Sequence, residues 1–474
     1  MVKQNHLKFT PFPFGLLFSL PLKTILFVVL AIGFGETILA QDFQEIKVDE
    51  GLASQKSSIL GNLANAANSS ETKEFFQKYY LGRWTVQNNA QNIHTYRAEV
   101  EADASSLQGE AKTAFLQLVV KLLTSFALNK DYYPACRYNA VLTIGMLNES
   151  SSEGQIVPYA PALKMLIGFV DSNKYNLPDY VRYGALLGLE RHAEVGLSDD
   201  KSKTQIKSIF LNVLKPTYAK EKDIRKDIYV CFQIKAIDGL AVFKSPDLNP
   251  GDAAILTAMK ELIENEKSDP DVRTLAAETF GKMNFDSIKS YDFASLVTTM
   301  GKLAVNFSQD ELNYIKTEQL RDQINSGTGS GLGGSGGMGR GMDMVGGGMD
   351  MTGGLGGGMG MNGMNTESIE NVILIIKYHM DALQIAINGL DQKGGIKAMI
   401  PEDKVQELKL LEKIEAEAQK TIVFLNTGTT EVSTKKASSS KRRKNQILMV
   451  DLLMIQDHLS EQVLNYKELI GIAD

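Results

Sequence analysis

Between residues 107 and 307, apolar positions recur at steps of three and four, interrupted by short polar breaks. The stretches AKTAFLQLVVKLLTSFAL (111–128), APALKMLIGFV (160–170), QIKSIFLNVLK (205–215) and AAILTAMKELIENE (253–266) each carry that spacing over three turns or more. Between them stand PACRYNAVLTIGML (134–147), PDYVRYGALLGLERH (178–192), IYVCFQIKAIDGLAVF (228–243) and PDVRTLAAETFGKM (270–283). A period of three to four residues predicts helices, so the order is first helix, short loop, second helix, repeated. The pattern predicts an all-α chain.

The second helices share more than periodicity. Arg137 precedes Ala140, Arg182 precedes Ala185 and Arg273 precedes Ala276, each by three residues. Pro134, Pro178 and Pro270 stand just ahead, where a proline is tolerated only in a first helical turn. With Ala236, the alanines are spaced by 45, 51 and 40 residues, and a small side chain there lets a neighbouring helix come close. The third copy departs: Gln233 replaces the arginine and no proline opens it. Self-similarity at this period is the mark of a helical repeat array. The P-x-x-R-x-x-A pattern, clearest as PDVRTLAA, resembles HEAT and armadillo-like repeats, which implies an α-solenoid that binds a protein through its surface. Because the arginines recur at the repeat period, they read as architecture rather than as an anion-binding ladder.

Ahead of the array, Lys3, Lys8 and Lys23 flank the apolar run TILFVVLAIGFG (24–35), and ETILA then gives way to QDFQE. A basic flank, a short apolar core and a small residue describe an export signal, with cleavage expected after Ala40. Only 12 residues separate Lys23 from Glu36, too few to span a bilayer, and nothing later reads as a spanning segment. The stretch ETKEFFQKYYLGRW (71–84) gathers Phe75, Phe76, Tyr79, Tyr80 and Trp84. It reads as a cap over the open end of the first repeat, the alternative being a stacking surface for sugar or peptide. A further helix is expected over 92–107.

After the array, 19 of the 38 residues in 327–364 are glycine and 8 are methionine, which predicts a flexible coil reaching roughly 30–40 Å. Its GGSGG and G-x-G-x-x-G matches lack the flanking strand and helix that would give them chemistry. The pairs Met342 and Met344, Met349 and Met351, and Met359 and Met361 offer soft thioethers, a set suited to Cu(I). Beyond it, Ile369, Ile373, Ile376, Met380, Leu383, Ile387 and Leu390 form a heptad-like seam. Two more helical stretches follow, PEDKVQELKLLEKIEAEAQKTIVFL and QILMVDLLMIQDHLSEQVLNYKELI, suggesting a small antiparallel bundle or a self-associating coiled coil. A basic loop at 434–446 holds Lys435, Lys436, Lys441, Arg442, Arg443 and Lys444, and could grip a polyanion weakly. The expected organisation is a leader (1–40), a capping region (41–106), the repeats (107–325), a Gly/Met-rich disordered linker (326–365) and a three-helix module (366–474).

Composition adds little to this picture. A net charge of −6 with 22% charged residues gives no reason to expect nucleic acid. Cys136 and Cys231 are too few for a disulfide framework and read as two buried thiols. The histidines His94, His192, His379 and His458 stand far apart in sequence, and no zinc, phosphate-loop or calcium motif occurs. His379 and His458 read as surface or half-buried residues. No cofactor and no catalytic residue is implied. The expectation is a non-enzymatic, exported scaffold of the periplasm, envelope or medium that binds a protein partner; an envelope assembly component and a copper-handling protein are the alternatives.

Overall fold

A computed structural model describes residues 43–327 and 366–472, apart from 153–154, 172–174, 176, 198, 250–251, 286–287, 289–290, 391–393 and 436–440. The described residues are helical except for turns, loops and one short hairpin. They divide into two units: the chain up to Leu147 with Tyr175–Gly184 and Ile224–Ile228, and a second unit made of Asn148–Lys174, Ala185–Asp223 and Tyr229–Asp474.

In the first unit, short helical turns lead from Glu50 to Asn92, followed by α1 (Ile93–Ser106), α2 (Gly109–Leu128) and α3 (Pro134–Met146). Phe75, Phe76, Tyr80 and Trp84 are fully buried, and Phe76 and Tyr80 meet Phe115 of α2 edge-on at 5.8 and 6.1 Å. The aromatic stretch is therefore interior packing and not an open stacking surface. Helix α2 packs against α3 and buries Phe115, Leu116, Val119, Val120, Leu123, Phe126 and Ala127. By length and composition it could cross a membrane, which the sequence reading did not anticipate. Its buried stripe is that of a core helix.

The second unit opens with the hairpin β1 (Asn148–Ser152) and β2 (Gln155–Pro158), antiparallel, with Ser151 opposite Ile156. Helices α4 (Ala160–Asp171), α5 (Asp179–Glu194), α6 (Asp200–Leu214), α7 (Pro216–Lys222), α8 (Lys226–Val242), α9 (Ala254–Glu264), α10 (Pro270–Lys282) and α11 (Phe293–Gly327) follow; the first turns of α5 and α8 belong to the first unit. The first helices of successive pairs form a row, α4 on α6, α6 on α9 and α9 on α11, while α10 packs against its own partner α9. Proline opens α3 and α10 as expected, and Tyr133, held extended ahead of Pro134, marks the break before the helix. The third pair holds an unforeseen short helix, α7, opened by Pro216.

The chain then continues through α12 (Thr366–Asn388), α13 (Gly395–Met399), α14 (Val405–Lys435) and α15 (Lys441–Ile470). Helix α12 packs against both α10 and α11, which is the place a second helix would take in a fifth pair. The approach to α10 is backbone to backbone. A Cβ on Gly281 would lie 2.0 Å from the Ile385 carbonyl oxygen, and Leu390 N–H donates to the Gly281 carbonyl at 3.2 Å. Of the predicted seam, Ile373, Ile376, Met380, Leu383 and Ile387 are buried, while Leu390 ends it exposed. Each such side chain contributes about 1.5–3 kcal/mol on burial. Helices α14 and α15 pack on each other and on α11.

Three expectations change here. Residues 366–472 do not stand apart from the repeats: they share the second unit with α9, α10 and α11. The seam of α12 is occupied within the chain. The basic stretch 434–446 is helical at its two ends, since α14 runs to Lys435 and α15 starts at Lys441.

Candidate functional site

The repeat arginines are buried: Arg137 is 6% exposed, Arg182 3% and Arg273 3%. In the first unit, Arg137 Nε donates to the Ala127 carbonyl at 3.1 Å and Nη1 to the Tyr180 hydroxyl at 3.1 Å. Ala127 lies in the last turn of α2, where carbonyls lack helical partners and the helix dipole favours a cation. Arg182 turns back on the loop before its own helix, donating from Nε to Leu177 O at 3.2 Å and from Nη2 to Tyr175 O at 3.1 Å. In the second unit, Arg273 pairs with Asp310 of α11. Ala140, Ala185, Ala236 and Ala276 are all fully buried, and Gln233, the arginine's replacement, is buried as well. The repeated positions are thus spent inside the fold, and the structure does not bring them together as a site.

What the second unit offers instead is a set of polar side chains on second helices that the sequence reading passed over. Lys235 of α8 reaches Glu190 of α5 at 3.3 Å and Asp238 at 2.9 Å. Burial pushes the Glu190 carboxyl up to about 7; the Lys235 ammonium opposes this, and Asp238 and Glu194 add to it. Burial works against the charge of Lys235 too, but Asp238 and Glu190 outweigh it and hold the ammonium above its ordinary range. On α10, Glu278 pairs with Lys282 at 2.8 Å. On α12, Tyr378 is 38% exposed, yet burial raises its hydroxyl above the ordinary tyrosine range, with the carboxylates of Glu278, Asp271 and Asp238 adding to the effect. Glu190, Lys235 and Asp238 are thus joined by ion pairs between α5 and α8, and the polar row continues with Glu278 on α10 and Tyr378 on α12, whose hydroxyl feels the charges of Glu278 and Asp238.

Beneath α12 lies a more enclosed group. His379 is 2% exposed, stacks on Phe307 of α11 at 4.5 Å, and faces Glu311 with Nδ1 3.3 Å from Oε1, off the hydrogen-bonding direction. This corrects the surface assignment made from sequence. Burial raises the Asp271 carboxyl nearby; Asp269 and Glu311 add to this and His379 opposes it. His458 is half-buried as expected, stacked on Phe424 at 4.2 Å, with its basicity lowered by burial. Cys136 and Cys231 do not form a disulfide; Cys136 is buried and burial pushes its thiol up to about 12, while Cys231 is only half-buried. Among the described residues, no group of histidine, cysteine and carboxylate side chains is arranged to hold a metal ion.

No protein-family model matches the chain, and no curated protein or solved structure is significantly similar to it. The leader, the methionines Met342, Met344, Met349, Met351, Met359 and Met361, and Lys436 lie outside the described residues. Lys435, Lys441, Arg442, Arg443 and Lys444 fall on the ends of α14 and α15.

Proposed function

We propose that the chain is an exported, non-enzymatic scaffold whose HEAT-like helical pairs hold a protein partner against the second helices. The observation that carries this reading is the polar row of Glu190, Lys235, Asp238, Glu278 and Tyr378, partly desolvated yet open on one side. Partly desolvated polar and aromatic groups are what a partner's backbone and side chains exploit, because water competes poorly for them. The buried alanine at each repeat and the buried arginine at three of the four support the HEAT-like assignment, as does the row of first helices. Export rests on the basic, apolar and small-residue order before Ala40. The α12 seam, one of the three that suggest self-association through 366–474, is covered within the chain by α10 and α11.

The test is affinity capture from envelope extracts with the full chain, its Tyr378→Ala and Lys235→Glu variants, and a Lys201→Glu variant away from the row. A partner recovered by the wild type and Lys201→Glu, and lost with the other two, supports the reading. Equal recovery with all four baits overturns it.

A further inference from the structure

Arg97 of the first unit enters no ion pair among the described residues, although the charge of Glu101, one turn along the helix, acts on it. Arg97, on α1, is half-buried and lines a small surface depression with Glu101, Thr143, Met146 and Leu147. Nη1 makes one long hydrogen bond, 3.4 Å to Asn139 Oδ1, and the buried Nε donates to no protein atom. Among the described residues, no carboxylate lies within ion-pairing distance of it. By contrast, Arg83 in the same unit is joined to Glu99 and stacked on Tyr96 at 4.2 Å. The neighbouring groups are already committed: Asn139 Nδ2 donates to Ala135 O and Thr143 Oγ1 to Asn139 O, both at 2.8 Å. Burial disfavours the Arg97 charge, a cost that a bound anion would relieve.

A guanidinium presents paired donors that match a carboxylate edge-on, and such charge-assisted pairs are roughly twice as strong as neutral ones. The remaining walls, Met146 and Leu147, are apolar and suit a short hydrocarbon stem. We propose that the Arg97 depression is a carboxylate-binding site that takes a glutamate-like side chain from a peptide partner. Glu101, exposed one turn along α1, is the one acid on its rim and competes with the ligand for the guanidinium. The site does not depend on the polar row of the second unit and is tested without capturing a partner.

The experiment uses the full chain labelled with 15N-arginine and follows the Nε–Hε resonance that disappears in Arg97→Gln. Acetylated and amidated glutamate is titrated against the equally blocked glutamine, with inorganic phosphate as a third probe. The expected result is a saturable shift with blocked glutamate, none with blocked glutamine, and several-fold tighter glutamate binding in Glu101→Gln. Arg97→Lys keeps the charge without the fork and, with binding of the same probes read by titration calorimetry, is expected to weaken binding several-fold, which covers the case in which Arg97→Gln fails to fold. Equal shifts with glutamate and glutamine, or no saturable shift even in Glu101→Gln, overturn the proposal. Phosphate binding several-fold tighter than blocked glutamate overturns the assignment to a carboxylate.

Discussion

Arg137 shows how a residue that looks chemical from its sequence becomes structural in its surroundings. Its fork spans a helix-end carbonyl and a tyrosine hydroxyl, so a lysine can satisfy only part of the arrangement. Arg137→Lys is expected to cost about 1–3 kcal/mol, read as a fall in the thermal unfolding midpoint with the helical signal retained. Glu190 gives a prediction of a different kind. Its carboxyl shifts from 4.5 to about 7, so its contribution to stability is intact below pH 4.5 and is lost as the pH climbs through 7. Glu190→Gln removes that slope. Relative to wild type, the variant should gain about 3 kcal/mol across the same interval, measured by denaturant unfolding at several pH values. The arginines were legible because they recur at the repeat period. Glu190 and Lys235 were not, since single charges on amphipathic helices resemble a solvated face. A fainter signal existed: Asp238 and Glu278 each lie two residues after a repeat alanine.

At the level of elements, periodicity located both helices of each of the four repeat pairs, and prolines marked the starts of α3 and α10, but the short α7 and the long α11 carried no such signal. It missed the hairpin at 148–158, where the serine run interrupts the apolar period and only Ile156 and Val157 favour a strand. The seam of α12 was also visible, but a stripe states only that something covers a helix, not what does. Here the cover is α10 and α11, seated on the flat surface of Gly281. Gly281→Ala places a Cβ against the Ile385 carbonyl, and α12 must move away. The expected cost is about 1–3 kcal/mol, with faster amide exchange confined to α10 and α12 as the distinguishing readout.

For the whole molecule, the glycine–methionine stretch was read as a boundary between domains because its composition resembles a linker. Its ends instead belong to α11 and α12, two helices packed on each other within the second unit. A protease site engineered into 328–365 therefore tests the arrangement. After cleavage the two pieces are expected to migrate together at the size of the intact chain and to part only in denaturant. Separation under native conditions would return 366–474 to the status of an independent module.

The pairing of α11 with α12 across that stretch has a thermodynamic consequence. Closing a loop costs free energy that grows only with the logarithm of its length, so doubling such an insert adds only about 0.6 kcal/mol. Selection for stability therefore acts weakly on how many residues lie between 327 and 366, and strongly on contacts such as Gly281 with Ile385. Lengthened or shortened variants of the segment should unfold at nearly the same denaturant midpoint, leaving its size free to follow whatever the segment itself does.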